Sequence, residues 1–171
     1  MKKLLLCLIA LALVGKPALA HEGSWFAAGG SFEHLANGIN SNGVGASIEG
    51  GYWYLGNVAY GGFFKTSFQG KIDNREGSDL KIYDLGVFWK AASEAGLYGK
   101  VLLGLAFISP TGNYSGLRTG NVTSLSLGLG GGFLFPVSNT FQIGPEVIYR
   151  HLTSGNGADQ ISVGVLIAYR F

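Results

Sequence analysis

The last eleven residues of the chain, ISVGVLIAYRF (161–171), alternate between apolar and small or polar side chains. Apolar or aromatic residues occupy every second position: Ile161, Val163, Val165, Ile167, Tyr169 and Phe171. A period of two is typical of a β-strand with one apolar face. About ten residues at roughly 3.3 Å each, tilted by about 45°, suffice to cross the hydrocarbon core of a bilayer. We therefore expect a membrane-spanning strand here.

The first twenty residues have the features of a secretory signal peptide. Lys2 and Lys3 form a positively charged start, the apolar core follows at 4–14, and Ala18 and Ala20 flank Leu19 in a small-x-small cleavage site. The apolar run is shorter than a helix that spans a bilayer. We expect cleavage near Ala20, which leaves residues 21–171 as one exported barrel domain.

The composition of the exported part excludes several classes of function. Without the leader the chain loses three of its 12 basic residues, and the remainder nearly balance the 10 acidic ones, which argues against nucleic-acid binding. The only cysteine, Cys7, lies in the leader, so we expect neither disulfides nor thiol chemistry. His21, His34 and His151 are scattered without metal-ligand spacing, and we expect no metal and no cofactor.

Eight segments of the exported part show the same period of two, separated by turn-rich connections. They lie at about 24–35, 43–54, 58–72, 80–91, 97–108, 122–135, 141–153 and 161–171. The connections after the odd-numbered segments are polar and mostly longer than those after the even-numbered ones, as in barrels with short periplasmic turns and longer extracellular loops. Closure is required because an open edge leaves unpaired backbone groups in lipid. The sequence predicts an all-β fold, an eight-stranded antiparallel up-and-down transmembrane β-barrel.

Charged residues share one face of these segments with Gly, Ser and Ala, opposite the large apolar residues. This pattern argues against a soluble lipocalin-like barrel, which is polar outside. Eight strands leave an interior just wide enough for side chains, and an unpaired charge there is costly, so we expect mutual pairing. The predicted interior polar network comprises Glu33, Glu49, Lys65, Asp84, Lys100, Glu146, Arg150 and Arg170. The alternative is a narrow or gated pore lined by the same ion pairs.

Three residues around the last outer loop, His151, Thr153 and Asp159, share the outward parity. A base, a hydroxyl and an acid can attack an ester if they converge. Residues 146–153 are similar to the His-x-Ser segment of the lipid A deacylases, another eight-stranded outer-membrane family. Thr153 stands where that family has its nucleophilic Ser, and Ser154 where it has an oxyanion-binding Asn. The resemblance implies a deacylase-like esterase that uses these three residues as an alternative function.

The leader, the strand count, the asymmetry of the connections and the Tyr169–Phe171 ending together resemble the small eight-stranded outer-membrane proteins. Examples are the transmembrane domain of outer-membrane protein A and the outer-membrane protein X/Ail group. In that class the barrel-assembly machinery reads the C-terminal strand, so the resemblance implies that Tyr169 and Phe171 form the assembly signal. It also implies a bacterial outer-membrane location, contact with outer-membrane lipid including lipopolysaccharide, and a monomer.

The same resemblance implies a non-catalytic role in envelope integrity and in surface interaction through the extracellular loops. The predicted loops lie at 37–42, 73–79, 109–121 and 154–160. A porin-like conduit for small or hydrophobic solutes, as in the outer-membrane protein W group, is a second alternative.

Overall fold

The computed structural model describes residues 23–36, 40–54, 57–70, 79–111, 121–153 and 157–171. The predicted leader and its cleavage site lie outside these ranges. The described residues form eight antiparallel strands, one of them interrupted: β1 (Gly23–Ala36), β2 (Ser41–Tyr54), β3 (Val58–Gly70), β4 (Asp79–Ala92), β5 (Leu97–Thr111), β6 (Val122–Phe133, resuming at Phe135–Pro136), β7 (Phe141–Leu152) and β8 (Ala158–Arg170). Within the described part of the chain, no helix is long and apolar enough to cross a membrane.

The sheet closes on itself. Each strand pairs with the next along the chain, and the pairing of β1 with β8 completes the circle. Following paired residues once around the barrel from Trp25 leads to Leu35 on the same strand, ten residues further along. Such a stagger requires strands tilted against the barrel axis. The predicted eight-stranded antiparallel up-and-down barrel is confirmed.

The outer wall of the barrel is apolar, and burial alternates along every strand. In β7, each residue from Phe141 to Leu152 switches between exposed and buried. Leu127, Val147 and Val165 point outward, and each side chain is 44–50% exposed. Large exposed apolar residues of this kind occur on all eight strands. The hydrophobic effect therefore favours an apolar environment around this wall.

Inside the barrel, buried apolar residues form two clusters, one towards each end. We call the end with Gly23 and Arg170 the termini end, and the opposite end the loop end. The cluster towards the termini end contains Trp25, Ala27, Trp53, Ala59, Phe63, Phe88, Tyr98, Leu102, Leu134, Ile148, Leu166 and Ala168. The cluster at the loop end contains Leu35, Leu80, Ile82, Ala106 and Leu152. Buried polar and charged side chains lie between and among these clusters.

Several strands extend further towards the loop end than the alternation predicts. β8 begins at Ala158, so Asp159 and Gln160 are strand residues rather than part of a loop at 154–160. In the same way β2, β4 and β5 take up residues 41–42, 79 and 109–111 from the other predicted loops. The outer ends of these strands are polar on both faces, so their sequence carries no period of two. Ladder pairing, such as His151 with Asp159, continues the strand regardless.

The interruption of β6 falls at Leu134, inside the segment predicted as one strand. Leu134 turns inward and is buried, and its amide donates to the Gly96 carbonyl. The register before and after the break places this stretch opposite Gly144 and Pro145 of β7. Pro145 has no N–H to donate to the ladder. A Cβ at Gly144 would overlap the Phe133 carbonyl oxygen, so only glycine permits this close approach.

We expect Gly144→Ala to destabilise the barrel, because the added methyl forces the β6 and β7 backbones apart. Overpacking of this kind typically costs about 1–3 kcal/mol. Gly70→Ala is the matched control, since a Cβ there meets nothing within 4 Å. Urea unfolding in lipid vesicles, followed by tryptophan fluorescence, measures both variants. Equal stability of the two would contradict the close approach.

Candidate functional site

A cluster of four buried charges lies in the lumen towards the termini end. The Glu49 carboxylate accepts hydrogen bonds from the Nζ atoms of Lys90 and Lys100, each at 2.7 Å. Lys100 Nζ also lies 2.5 Å from Glu146 Oε2, to which the Tyr98 hydroxyl donates at 2.7 Å. We call Glu49, Lys90, Lys100 and Glu146 the four-charge cluster. It joins β2, β4, β5 and β7 across the lumen.

A second group of buried polar side chains surrounds Glu33. Lys65 Nζ lies 2.6 Å from Glu33 Oε1 and donates to the Ser162 hydroxyl, also at 2.6 Å. The amides of Gln69 and Gln160 donate to Glu33 Oε2 at 3.1 and 2.7 Å. Hydrogen bonds from neutral donors and one cation therefore satisfy this carboxylate away from water.

A third group of buried charges is the ion pair between Asp84 of β4 and Arg150 of β7. Arg150 Nη1 lies 2.6 Å from Asp84 Oδ2, which also accepts a hydrogen bond from Ser126. The guanidinium lies over the Phe63 ring, 5.2 Å from its centroid. Arg150 is among the largest fully buried side chains of the described residues. It fills the middle of the lumen.

The eight buried charges of these three groups balance. Glu33, Glu49, Asp84 and Glu146 face Lys65, Lys90, Lys100 and Arg150, and none of the eight residues is more than 7% exposed. The predicted network did not include Lys90, although its parity is that of Asp84. Its neighbours are Trp25 and Tyr98, whose ring centroids lie 4.1 and 4.5 Å from Nζ. These cation–π contacts join residues of three strands, so the sequence around Lys90 alone does not predict them.

Arg170 takes a different place from the other residues of the predicted network. It is half-buried at the termini end, and its guanidinium lies 4.8 Å from the centroid of the Trp53 ring. With Ser138, Thr140 and Gln142 it lines a cavity of about 570 Å³ open at this end. Arg170 therefore belongs to the mouth of the barrel rather than to its buried middle.

One small cavity lies within the charged region formed by the described residues. A cavity of about 10 Å³ lies between Lys65 and Glu146, lined also by Ser47 and Ser162. That volume holds about one water molecule. Paired side chains fill the lumen here, so the arrangement acts as a packed polar core that links opposite strands.

Outside the barrel, the structure brings together two of the three residues predicted for an esterase. His151 Nδ1 lies 2.8 Å from Asp159 Oδ1, and the Tyr149 hydroxyl donates to the same oxygen at 2.7 Å. Thr153 is exposed two residues further along, and among the described contacts no hydrogen bond joins it to His151. The predicted set does not include Tyr149, because its hydrogen bond to Asp159 depends on the β7–β8 register. The part of the chain that the structure describes contains no group of three or more His, Cys, Asp or Glu arranged to hold a metal ion.

The two residues of the predicted assembly signal lie in a ladder of aromatic rings at the termini end. The Tyr169 ring is 5.0 Å from that of Phe141 and 4.9 Å from that of Phe171, measured between centroids. Phe171 is 79% exposed. Aromatic belts of this kind are typical of a membrane–water interface. Recognition by the assembly machinery stays a prediction.

Comparison with known proteins finds solved structures that share this fold. No protein-family model and no curated protein matches the chain. Neisserial surface protein A superposes with a TM-score of 0.66 at 13% identity, over 87% of this chain and 97% of that one. Ail of Yersinia pestis gives 0.61 at 19% identity, over 88% and 100%, and the N-terminal β-barrel domain of Pseudomonas aeruginosa OprF gives 0.56 at 14%, over 87% and 100%. This chain has the fold of the small eight-stranded outer-membrane barrels. The predicted resemblance is confirmed at the level of fold.

We expect Glu49→Gln to destabilise the barrel strongly, because it leaves Lys90 with no carboxylate partner and Lys100 with only Glu146. Breaking a buried charge pair typically costs about 3–5 kcal/mol. Lys81→Gln is the control, since Lys81 has the outward parity of β4 and surface changes usually stay within about 0.5 kcal/mol. The free energy of unfolding in vesicles measures both. A loss for Glu49→Gln no larger than for Lys81→Gln would contradict the network.

Proposed function

We propose that this protein is a closed barrel of the bacterial outer membrane, which supports envelope integrity and contacts partners at the cell surface through its loops. The observation that carries the proposal is the inverted distribution of side chains. Apolar residues such as Leu127, Val147 and Val165 cover the outside, whereas eight charges are buried inside. In water this arrangement would expose the apolar wall to solvent, at a cost in free energy that nothing else offsets. The fold shared with three outer-membrane barrels supports the same location.

The packed lumen favours this role over a porin-like conduit. A channel for solutes needs open space along the barrel axis, and wide aqueous channels are found in barrels of about 16 or more strands. In this eight-stranded barrel the large side chains of Arg150, Lys65 and Phe88 are fully buried in the lumen. Each charge is held by a partner on another strand, so opening a path would break ion pairs in a low-dielectric interior.

Support for the surface role comes from a structural neighbour. Ail is described as the attachment invasion locus protein of Yersinia pestis, and it has been solved in complex with the heparin analogue sucrose octasulfate. We propose that the connecting segments at the loop end of this chain contact a sulfated glycan. The segments at 71–78 and 112–120 lie outside the described residues. Their sequences contain the basic residues Lys71, Arg75 and Arg118 and the acidic residues Asp73 and Glu76.

We expect spin labels at Leu127, Val147 and Val165 to be accessible to oxygen and shielded from a water-soluble nickel complex, because lipid covers the wall. A label at Val137, in the turn between β6 and β7 and 68% exposed, is the control and should show the opposite preference. Power-saturation electron paramagnetic resonance in vesicles makes the comparison. Water at the three wall positions would contradict membrane insertion.

We expect cells that display the protein to bind immobilised heparin, and to lose that binding when 71–78 and 112–120 are replaced by Gly/Ser segments of equal length. The reason is that these replacements remove the side chains at the loop end and leave the barrel strands intact. The control replaces residues 137–140, at the termini end, in the same way. Unchanged adhesion after the loop replacements would contradict the surface role.

A further inference from the structure

The cavity at the termini end of the lumen is a pocket that is closed on its inner side. It has a volume of about 570 Å³, within the range of about 300–1,000 Å³ that is usual for ligand pockets, and Trp53 is one of its lining residues. Deeper in the lumen, the Trp25 ring lies 6.1 Å from that of Trp53 and 5.6 Å from that of Phe88, measured between centroids. These rings lie between the cavity and the four-charge cluster. A molecule can therefore occupy the cavity from outside the barrel without passing through the lumen.

Arg170 brings a positive charge to this pocket. It has the only charged side chain among the described residues that line the cavity, and it is not one of the eight balanced charges of the lumen. Its guanidinium lies over the Trp53 ring, 4.8 Å from the centroid, and this contact holds it at the mouth of the barrel. A guanidinium carries five N–H donors in a planar fork that matches the two oxygens of a carboxylate. The pocket therefore favours an anionic group.

The turn between β6 and β7 adds a hydroxyl donor to the same pocket. Ser138 Oγ accepts from the backbone N–H groups of Thr140 and Phe141 at 3.3 and 3.0 Å. These bonds use both lone pairs of that oxygen, so the Ser138 hydroxyl donates to Thr140 Oγ1, 3.3 Å away, and the proton of the Thr140 hydroxyl is left for a ligand. The Thr140 carbonyl also accepts from the Arg170 amide at 2.9 Å. The hydroxyl and the guanidinium are thus fixed relative to each other.

A buried amide forms another part of the wall. Gln142 is 6% exposed and lines the cavity. Within the described part of the chain its side-chain amide forms no hydrogen bond, although buried polar groups nearly always have a partner. An amide offers two N–H donors and a carbonyl acceptor. A ligand with hydroxyl or amide groups satisfies both kinds of atom, whereas a simple anion leaves the carbonyl without a donor.

We propose that this pocket binds a carboxylated amino sugar, with its carboxylate on Arg170 and Thr140 and its amide or hydroxyl groups on Gln142. The choice of ligand rests on the membrane location proposed above. In a barrel whose short connections face the periplasm, the termini end faces the cell-wall glycan. Alternate sugars of that glycan carry a lactyl carboxylate next to an acetamido group, the combination that the donors of the pocket match. Binding there links the barrel to the cell wall.

The test titrates the full protein in detergent micelles with N-acetylmuramic acid and with N-acetylglucosamine, which lacks the lactyl carboxylate. Heteronuclear NMR follows the indole N–H of Trp53 and the backbone amide of Thr140. N-acetylmuramic acid should shift both signals and bind about tenfold more tightly than N-acetylglucosamine, the usual effect of a hydrogen bond to a charged group. The amide of His151, at the loop end, should not shift.

Two variants and a matched control assign this binding to the pocket. Arg170→Gln should remove the preference for the acidic sugar, so that both sugars bind equally. Thr140→Val should weaken the binding of N-acetylmuramic acid about fivefold, as expected for one hydrogen bond. Because Thr140 lies in an exposed turn, this variant tests the site even if Arg170→Gln fails to assemble. Lys81→Gln removes a positive charge from the outward face of β4 and should leave both affinities unchanged.

The proposal is overturned if N-acetylmuramic acid binds no more tightly than N-acetylglucosamine, or if Arg170→Gln keeps the preference for the acidic sugar. Binding of lactate alone with the affinity of N-acetylmuramic acid overturns the assignment of an amino sugar. Signal shifts at His151 without any at Trp53 overturn the placement in this pocket. Lipid-facing labels at Leu127 and Val165 in a protein that binds neither sugar would show that the pocket fails as a site while the membrane location holds.

Discussion

The contact between Lys100 and the two carboxylates of Glu49 and Glu146 is the interaction on which this barrel most depends. It ties β2 to β5 and β7 through the lumen, where no backbone ladder reaches. Its strength follows from burial, because charges withdrawn from water are tolerable only when partners and hydrogen bonds replace the lost solvation. With the outer wall apolar, the interior is the only place in the membrane-spanning part where these charges can lie. Their mutual pairing therefore shapes the packing around them.

Glycine explains how large charged side chains fit inside so narrow a barrel. The inward face of β6 is nearly bare at Gly128 and Gly130. A Cβ at Gly128 would lie 3.3 Å from Arg150 Cγ, and one at Gly130 would lie 3.4 Å from Lys100 Cγ. Small barrels commonly fill their interiors by setting small residues against large ones. The absence of side chains at Gly128 and Gly130 leaves the space that the side chains of Arg150 and Lys100 occupy.

The sequence predicts on which face of a strand each residue lies, but not which residues of neighbouring strands meet. A period of two places Glu49, Lys100 and Arg150 on the inner face without knowledge of any neighbouring strand. Which charge meets which depends on how strands slide past one another, and alternation does not specify that. Alternation places Lys90 on the inner face with Asp84, but its contacts with Glu49, Trp25 and Tyr98 come from three other strands and depend on register. The alternation also does not predict the interruption of β6 at Leu134, because the interruption depends on Gly144 and Pro145 of the neighbouring strand β7.

Pairs of an acidic and a basic side chain lie both in the interior and on the outer wall, but their surroundings differ. Asp84 and Arg150 form an ion pair that is buried and closed to solvent, so this pair holds β4 and β7 together. At the loop end, Asp159 contacts one nitrogen of His151, whose side chain is 46% exposed. The difference is not in the residue types but in the face of the strand on which they stand. Because paired charges fill the middle of the lumen, a molecule from the surroundings meets this barrel at its outer wall and at its ends, where His151 and the cavity beside Arg170 lie.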